Sequence, residues 1–392
     1  MKKVNRLVTG LLCMVTMAGF SACATLRTIF DLTVPTATLW VNGEPQTLSG
    51  PRSVAIDVYV FEGDFFVVGT AWDSYNEIYS ATLWVNGVSQ TLSTSTSRAN
   101  SVRVYGDDVF VTGFEDGKAI LWVNGVPQIL SYDDSFASSV FVYDGDVFVT
   151  GTVGAAWGAW DRWHARATLW VNGEPQTLSN LPSQGFSVYV SSNNVYVVGE
   201  IFEENILRRR YYHGHGDIMR IGRATLWRNG VSGASERLEG TTITTAQALR
   251  GGGTTHGGLV GIEQQEPRTS AHSVFVSGSD VFVVGMDYLI IDGEIEHERV
   301  RFWVNSELQT LGAIRRSFTI AGRSRANSVF VSGGDVYVVG RVEYLVMMQQ
   351  RGISRAMLWV NGDPQTLSDI QSNANSVFVS NGNVFVVGTT HK

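Results

Sequence analysis

The chain has 392 residues, of which 44% are hydrophobic and 17% charged, and its 42 glycines indicate a globular protein rich in turns rather than a disordered one. A formal net charge of −7 argues against a nucleic-acid partner, because phosphate binding is driven by a basic surface. The only two cysteines, Cys13 and Cys23, lie near the N-terminus and exclude a disulfide scaffold.

The first residues have the three zones of a secretory signal: a basic start, an apolar run from Leu7 to Phe20, and the small residues Ser21 and Ala22. The apolar run is too short to span a bilayer, which takes about 20 residues. We therefore expect export from the cytoplasm.

The end of this signal, Phe20-Ser21-Ala22-Cys23, resembles the bacterial lipobox. That resemblance implies that residues 1–22 are removed and that Cys23 carries the lipid. Residues 23–35 then form a tether in the bacterial cell envelope, on the outer or the cytoplasmic membrane and facing away from the cytoplasm. Cleavage by the ordinary signal peptidase is the open alternative.

One motif, first met as ATLWVNGEPQTLS at residues 37–49, recurs along the chain around a tryptophan. Asn-Gly follows the tryptophan after one residue, except in the sixth copy, where Ser306 replaces the glycine. Such regular recurrence indicates tryptophans that fill the space between repeats rather than a binding site. They are Trp40, Trp84, Trp122, Trp170, Trp227, Trp303 and Trp359.

A second motif, such as ANSVFVSGGDVYVVG at residues 326–340, also recurs and predicts two apolar strands joined by a tight turn. The aspartate before its second strand, here Asp335, is interpreted as a turn-stabilising residue. The copies lie at residues 55–69, 99–113, 137–151, 185–199, 271–285, 326–340 and 374–388.

Together the two motifs predict four antiparallel strands, the last of them an edge strand because Pro364 and its equivalents cannot donate to a central ladder. Seven such repeats predict a single seven-bladed β-propeller over residues 36–390, with a Gly/Thr-rich insertion at about 240–270. The first repeat lacks its front half and the last lacks its back half. We expect residues 36–49 to pair with residues 374–388 and so close the ring.

This layout of strands and turns resembles the WD40 and kelch repeats. It departs from WD40 in having valine after the tryptophan, as in Val41 and Val85, and from kelch in lacking paired glycines after the second strand. The wording of the repeat is most similar to uncharacterised bacterial repeat lipoproteins, which implies an architecture and a location but no activity.

In such a meander the tight turns share one face, whereas the variable loops share the other, so a binding site is predicted on the loop-rich face. The variable segments are residues 70–80, 114–118, 152–166, 200–223, 240–270, 286–300 and 341–355.

The tryptophans outside the repeat motif fall in two of these loops, Trp72 with Tyr75 and Tyr79 in one, and a second group in the next long loop. Exposed aromatic side chains of this kind bind sugar rings or protein partners, and the open alternative is that they pack on one another and cap the blades. The second group is Trp157, Trp160 and Trp163.

The fourth repeat carries a basic and aromatic loop, Arg208, Arg209, Arg210, Tyr211 and Tyr212, interpreted as a contact for an anionic ligand or partner, or as a solvated loop. No cofactor, metal or catalytic motif is assigned. The nearby His213, His215 and Asp217 are a weak metal pattern, and the acidic run Asp287, Asp292, Glu294, Glu296 and Glu298 is interpreted as a solvated loop with room for a carboxylate pair.

We therefore predict a monomeric, lipid-anchored propeller that binds a protein or carbohydrate ligand through its loop-rich face. An enzyme acting on glycans, a hydrolase or a lyase, is the alternative because propeller catalysis can be assembled from scattered loop residues. A purely structural surface protein is the third possibility.

Overall fold

The structure, a computed structural model, describes residues 34–155, 164–205, 219–229, 235–238, 268–291, 294–309, 311, 321–346 and 351–391. Every regular element in these residues is a β-strand, which confirms the predicted all-β class. Within the same residues, no helix is long and apolar enough to cross a membrane. The signal 1–22, Cys23 and residues 240–267 of the predicted insertion lie outside the described residues, whereas residues 268–270 belong to a strand.

The strands follow one another with short connections through the first half of the chain. They are β1 (Pro35–Val41), β2 (Glu44–Pro51), β3 (Ser53–Phe61), β4 (Asp64–Asp73), β5 (Ile78–Val85), β6 (Val88–Thr91), β7 (Ser97–Tyr105), β8 (Asp108–Glu115), β9 (Lys118–Val123), β10 (Val126–Ile129), β11 (Ser135–Tyr143), β12 (Asp146–Val153), β13 (Arg166–Val171) and β14 (Glu174–Thr177).

The second half continues in the same way, with longer strands. They are β15 (Ser183–Ser191), β16 (Asn194–Asn205), β17 (Met219–Arg228), β18 (Ser235–Arg237), β19 (Arg268–Ser277), β20 (Asp280–Ile291), β21 (Glu294–Val304), β22 (Glu307–Gln309), β23 (Ala321–Ser332), β24 (Asp335–Val346), β25 (Arg351–Val360), β26 (Asp363–Thr366), β27 (Ser372–Ser380) and β28 (Asn383–His391).

The strands pair in antiparallel groups of four, which we call units. Units 1 to 6 are β3–β6, β7–β10, β11–β14, β15–β18, β19–β22 and β23–β26, and the terminal unit consists of β27, β28, β1 and β2. Units 5 and 6 are also joined to each other by one parallel bridge between Glu298 and Arg323, so their strands form one eight-stranded sheet.

The terminal unit contains both ends of the repeat array. Strand β1 pairs with β28 along its whole length, from Pro35 opposite His391 to Val41 opposite Phe385. This is the predicted pairing of the N-terminal with the C-terminal strands, and it extends beyond the predicted bounds 36–49 and 374–388 to Pro35 and to residues 389–391. The half-repeats at the two termini therefore form one complete sheet.

Each unit holds its two tight turns together through the asparagine of the Asn-Gly turn. In unit 1, Asn86 adopts a φ of 50°, its amide donates to Asp64 at 2.8 Å, and its carbonyl oxygen accepts the backbone N–H of Phe65 at 3.0 Å. The left-handed conformation favours asparagine at this position. The recurring Asp and Asn residues thus have the structural role that the sequence predicts, on the side of the molecule that we call the turn side.

The repeated tryptophans are buried between neighbouring units. In the first such cluster Trp122 of unit 2, with no exposed surface, packs with Phe66 and Leu83 of unit 1. None of these tryptophans is more than 2% exposed, and replacing one by alanine costs about 3–5 kcal/mol of stability in a typical core. They are Trp40, Trp84, Trp122, Trp170, Trp227, Trp303 and Trp359.

At the end of the strands opposite to the turn side, a hydrogen bond to a side-chain hydroxyl joins each unit to the next. The backbone N–H of a residue in the third strand donates to a Ser or Thr side chain at the start of the next unit's first strand, at 2.8 to 3.1 Å. The donors are Ala37, Ala81, Ala119, Ala167, Ala224, Val300 and Ala356, and the acceptors are Ser53, Ser97, Ser135, Ser183, Thr269, Ser324 and Ser372.

Every first strand carries a β-bulge just before its apolar run, as between Ala55 and Asp57. The bulge brings the first strand so close to the second that a Cβ on Gly69 would lie 1.9 Å from the carbonyl oxygen of Val54. Glycine is required there because the approach leaves no room for a side chain. This explains the glycine that ends each copy of the second motif.

The first strands contact one another in order, and β27 contacts β3. Between them, six aromatic rings and one arginine form an inner belt. Neighbouring rings in the belt lie 4.5 to 4.9 Å apart between centroids, and the Arg103 guanidinium lies 5.2 Å from the ring centre of Tyr59. The belt consists of Tyr59, Arg103, Phe141, Tyr189, Phe275, Phe330 and Phe378.

Arg103 is an exception in the belt, since the other units have an aromatic residue at its position. A second exception is Asp57, where the other units have serine. In units 2 to 6 that serine accepts one backbone N–H from the next unit, as Ser139 does from Val188 at 3.4 Å. Asp57 instead accepts hydrogen bonds from the backbone N–H groups of Val58 and Val102, from the hydroxyls of Ser101 and Ser376, and from Arg103, at 2.7 to 3.1 Å.

Candidate functional site

The side opposite the turns, which we call the loop side, holds the connections between second and third strands and between units. Several segments expected to be loops are instead extensions of strands. Residues 286–300 lie largely in β20 and β21, and residues 341–355 largely in β24 and β25. The alternating Val, Ile, Tyr and Leu residues there favour strands, so the loop side is built of projecting hairpins.

The hairpin of β4 and β5 brings the predicted aromatic residues Trp72 and Tyr79 together. They are cross-strand partners whose ring centroids lie 5.1 Å apart at an interplanar angle of 71°. The Arg52 guanidinium lies 5.2 Å from the centre of the Trp72 ring, and the backbone carbonyl oxygen of Arg52 accepts the Trp72 backbone N–H at 3.0 Å. Trp72 is therefore half-buried, with partners on its ring, and supports the hairpin as a packed residue.

Tyr75 occupies the tip of the same hairpin and is 92% exposed. Asp73 orders this tip because its carboxylate accepts the backbone N–H groups of Tyr75 at 2.8 Å and Asn76 at 3.3 Å, and the Asn76 amide at 2.7 Å. The bond from the Tyr75 N–H, followed by the two from Asn76, lowers the pKa of Asp73 below its usual range. Tyr75 is thus a projecting ring on a fixed turn.

A second exposed ring, Tyr132, lies on the loop side of unit 2 and was missed in the sequence. It is 79% exposed, and the Lys118 ammonium lies 5.9 Å from its ring centre. Tyr132 stands in a short connection between units rather than in a long loop, so loop length gave no signal for it. Its combination with a nearby lysine resembles the Arg52 and Trp72 pair of unit 1.

The other predicted site residues lie outside the described part of the chain. These are Trp157, Trp160 and Trp163, and Arg208, Arg209, Arg210, Tyr211 and Tyr212, together with His213, His215 and Asp217. Within the described residues, no group of three or more His, Cys, Asp or Glu side chains is arranged to hold a metal ion.

In the acidic run of unit 5, Asp287 and Glu298 lie in strands and differ from the predicted solvated loop, whereas Asp292 lies outside the described residues. Asp287 is fully buried in β20, where it accepts hydrogen bonds from Arg301 at 2.8 Å and from Arg299 at 3.3 Å. Glu298 is 6% exposed and lies 3.6 Å from the Arg341 guanidinium. Burying a carboxylate is costly unless it is paired, so these two act with arginines rather than as a free carboxylate pair.

Two further basic side chains beside this cluster, Arg325 and His272, are strongly desolvated. Burial, more than the repulsion from Arg341, lowers the pKa of Arg325, and nearby Glu298 partly offsets this effect. Burial and nearby Arg325 lower the pKa of His272 to about 3, so His272 is neutral at physiological pH. Its Nδ1 lies 2.7 Å from the carbonyl oxygen of Ala326, an inter-unit contact that suits the neutral ring.

No protein-family model and no curated protein sequence matches this chain. Among solved structures, it is similar to the β-propeller domain of the Trilobed protease from Pyrococcus furiosus, with 11% identity, a TM-score of 0.39, and coverage of 81% of this chain and 96% of that one. It is also similar to acylaminoacyl peptidase from Pyrococcus horikoshii, with 13% identity, a TM-score of 0.41 and coverage of 81% of this chain but only 52% of the peptidase.

A third similar structure is a Trypanosoma rangeli sialidase in complex with 2,3-difluorosialic acid, with 12% identity and a TM-score of 0.36 over 86% of this chain and 53% of the sialidase. The chain thus spans about half the length of the peptidase and of the sialidase. Similarities this weak carry no inference about activity.

Proposed function

We propose that this protein is a lipid-anchored, seven-bladed β-propeller of the bacterial cell envelope that binds a protein or glycan ligand through its loop side. Each unit is one blade, and the protein acts outside the cytoplasm as a monomer. The observation that carries the binding proposal is Tyr75, an almost fully exposed ring on a turn ordered by Asp73.

The closed ring is supported by the seams between units. The hydrogen bond from a backbone N–H to a Ser or Thr side chain recurs at each seam. It includes the bonds from Ala37 to Ser53 and from Ala356 to Ser372, which join the terminal unit to both neighbours. The first strands are also in contact all the way round, from β3 to β27 and back to β3. Closing the ring leaves neither half-repeat as an isolated two-stranded sheet, so that only the short outermost strand of each blade remains an edge.

A projecting tyrosine suits recognition because it offers a large, rigid apolar face and a hydroxyl at a small cost in side-chain entropy. The ordered turn at Asp73 lowers the entropic cost further, since the backbone that carries the ring is fixed before a ligand arrives. Trp72, Tyr79 and Arg52 form the base that holds this hairpin. The same reasoning extends to Tyr132 on the neighbouring unit.

Replacing Tyr75 with Ala is expected to weaken ligand binding at least tenfold, about 1.4 kcal/mol or more, without changing the melting temperature. A glycan array followed by titration calorimetry with any hit measures the effect. Tyr105, 46% exposed at the turn side, provides the matched control, and Tyr105→Ala should bind as the wild type does. Equal binding by both variants would count against the site.

The same array separates binding from catalysis. A glycan that is retained unchanged after long incubation with the protein supports a binding role. A cleaved product supports the alternative of a glycan hydrolase or lyase, and no binding to glycans redirects the search to proteins recovered with the wild type but not with Tyr75→Ala.

The lipid anchor is a separate part of the proposal and rests on the lipobox resemblance at Cys23. Cells fed a labelled fatty acid should incorporate it into the wild-type protein, and Cys23→Ser should abolish the label and release the protein from membranes. Label that persists in Cys23→Ser would disprove lipidation at this residue.

A further inference from the structure

The two sides of the molecule differ sharply in charge. Among the described arginines and lysines, only Arg228 lies at the turn side, Arg103 lies in the inner belt, and Arg237 lies in mid-strand opposite Thr225; most of the others lie toward the loop side. The turn side is acidic, with Glu44, Glu62, Asp64, Asp107, Asp108, Asp144, Asp146, Glu174, Asp280, Glu307, Asp335 and Asp363 at or beside its turns.

On the loop side, the arginines concentrate at the seam of units 5 and 6, in what we call the arginine sector. Its two buried carboxylates, Asp287 and Glu298, are already neutralised by arginines of the same sector. Among the side chains that the structure describes on the loop side of these two units, the other carboxylates are Glu343 and Asp369, the latter 3.7 Å from Arg355, so seven arginines face four carboxylates and a surplus of positive charge remains. The sector consists of Arg268, Arg299, Arg301, Arg323, Arg325, Arg341 and Arg355.

Two of these arginines carry donors without an acceptor. Within the part of the chain that the structure describes, the Nε atoms of Arg325 and Arg341 are buried and make no hydrogen bond. An unsatisfied buried donor destabilises the folded protein, more so when it is charged, so these two guanidinium groups have capacity for a further acceptor. An anionic oxygen supplied by a ligand would satisfy a guanidinium there.

Aromatic rings border the sector on both units. The Arg268 guanidinium lies 5.8 Å from the ring centre of Tyr288, and the Arg355 guanidinium lies 5.5 Å from that of Tyr344. Both pairs stand at the loop-side ends of their hairpins. The sector thus combines cations for an anion with rings for an apolar face.

We propose that the arginine sector binds an acidic oligosaccharide, with sugar carboxylates at Arg325 and its neighbours and sugar rings against Tyr288 and Tyr344. This inference rests on the proposed function, since it names a ligand class for the loop side. A sugar acid joins a ring and a carboxylate in one small unit, as the sector does with its tyrosines and arginines. A nucleic acid is disfavoured because the sector is confined to two units of an acidic molecule.

The test titrates the full chain with oligogalacturonates and, as the neutral control, with oligogalactans of the same length. Arg325→Gln and Arg355→Gln are each expected to weaken oligogalacturonate binding roughly tenfold, and added salt should weaken it further. Arg228→Gln removes the same charge from the turn side and Arg237→Gln removes it from the outermost strand of unit 4, and both should bind like the wild type. Melting curves check that each variant is folded. Arg355 has 27% of its side chain exposed, so its replacement is expected to disturb folding less than the replacement of Arg325.

Absence of oligogalacturonate binding to the wild type, or equal affinity in Arg325→Gln, Arg355→Gln and the wild type, would overturn the inference. Equally tight binding of single-stranded DNA or of anionic lipid vesicles at the same residues would also overturn it, because it would show a general polyanion site. Tyr75→Ala distinguishes the two proposals. If the arginine variants bind oligogalacturonate like the wild type while Tyr75→Ala loses another ligand, the proposed function stands and the inference about the sector fails. If only the arginine variants lose oligogalacturonate binding, the result supports the sector.

Discussion

Removal of residues 34–51 is expected to abolish cooperative unfolding of the whole domain rather than to loosen one end. These residues form β1 and β2, and β1 supplies Ala37, Leu39 and Trp40, each fully buried. A single buried tryptophan is worth about 3–5 kcal/mol, and a whole domain has about 5–15 kcal/mol of stability. The deletion also leaves β28 with an unpaired edge and removes the Ala37 donor at the seam with unit 1.

The control for this deletion starts the chain at residue 34, so that only the segment before β1 is lost. That shorter protein should melt at the temperature of the wild type in a calorimetric scan. If the variant without residues 34–51 melted cooperatively at the same temperature, the proposed closed ring would be wrong.

Asp57→Ser is expected to lower the free energy of unfolding by about 3 kcal/mol, because it leaves Arg103 without its carboxylate in a half-buried position. Arg103→Phe should cost less, since Asp57 keeps four of its five hydrogen bonds. The double variant restores the serine and the aromatic ring found at these positions in other units. We expect it to lie within about 1 kcal/mol of the wild type, because a buried ion pair can often be exchanged for well-packed residues.

Urea unfolding of the four proteins in this cycle measures the coupling between the two positions. Ser187→Ala is the matched control, since Ser187 accepts only the backbone N–H of Val274 at 3.4 Å at the equivalent position in unit 4. It should cost about 1 kcal/mol. Additive effects of Asp57→Ser and Arg103→Phe would contradict the expected coupling.

The repeat itself made most of the fold predictable. The Asn-Gly turns, the glycine after the second strand and the tryptophans recur because each solves the same local problem in every unit, as Asn86 does with Asp64. The pairing of β1 with β28 could be predicted because the two missing halves are complementary. The Asp57 and Arg103 exceptions were also visible to a comparison of the copies, since serine and aromatic residues stand there in other units.

The candidate site was less predictable because loop length is a poor guide to structure between strands. Residues 286–300 lie largely in the two strands of a hairpin rather than in a loop. Asp287 and Glu298 are buried because arginines from neighbouring strands compensate their negative charge. No local sequence pattern shows this pairing. Tyr132 was missed because its connection is short. For Trp72 the sequence left ligand binding and mutual packing open, and the contacts with Tyr79 and Arg52 favour packing.

The outermost strands of the units affect whether neighbouring molecules can associate through their sheets. Strands β2, β10, β14 and β26 each carry a proline opposite a buried tryptophan, such as Pro45 opposite Trp40 and Pro364 opposite Trp359. A proline has no N–H to offer an incoming strand, and these short, exposed edges therefore resist growth of the sheet into a neighbouring molecule. At the membrane that we propose as its location, neighbouring copies are expected to remain separate instead of forming fibrils, and the proposed ligand is expected to bind at the ends of the strands rather than along the rim.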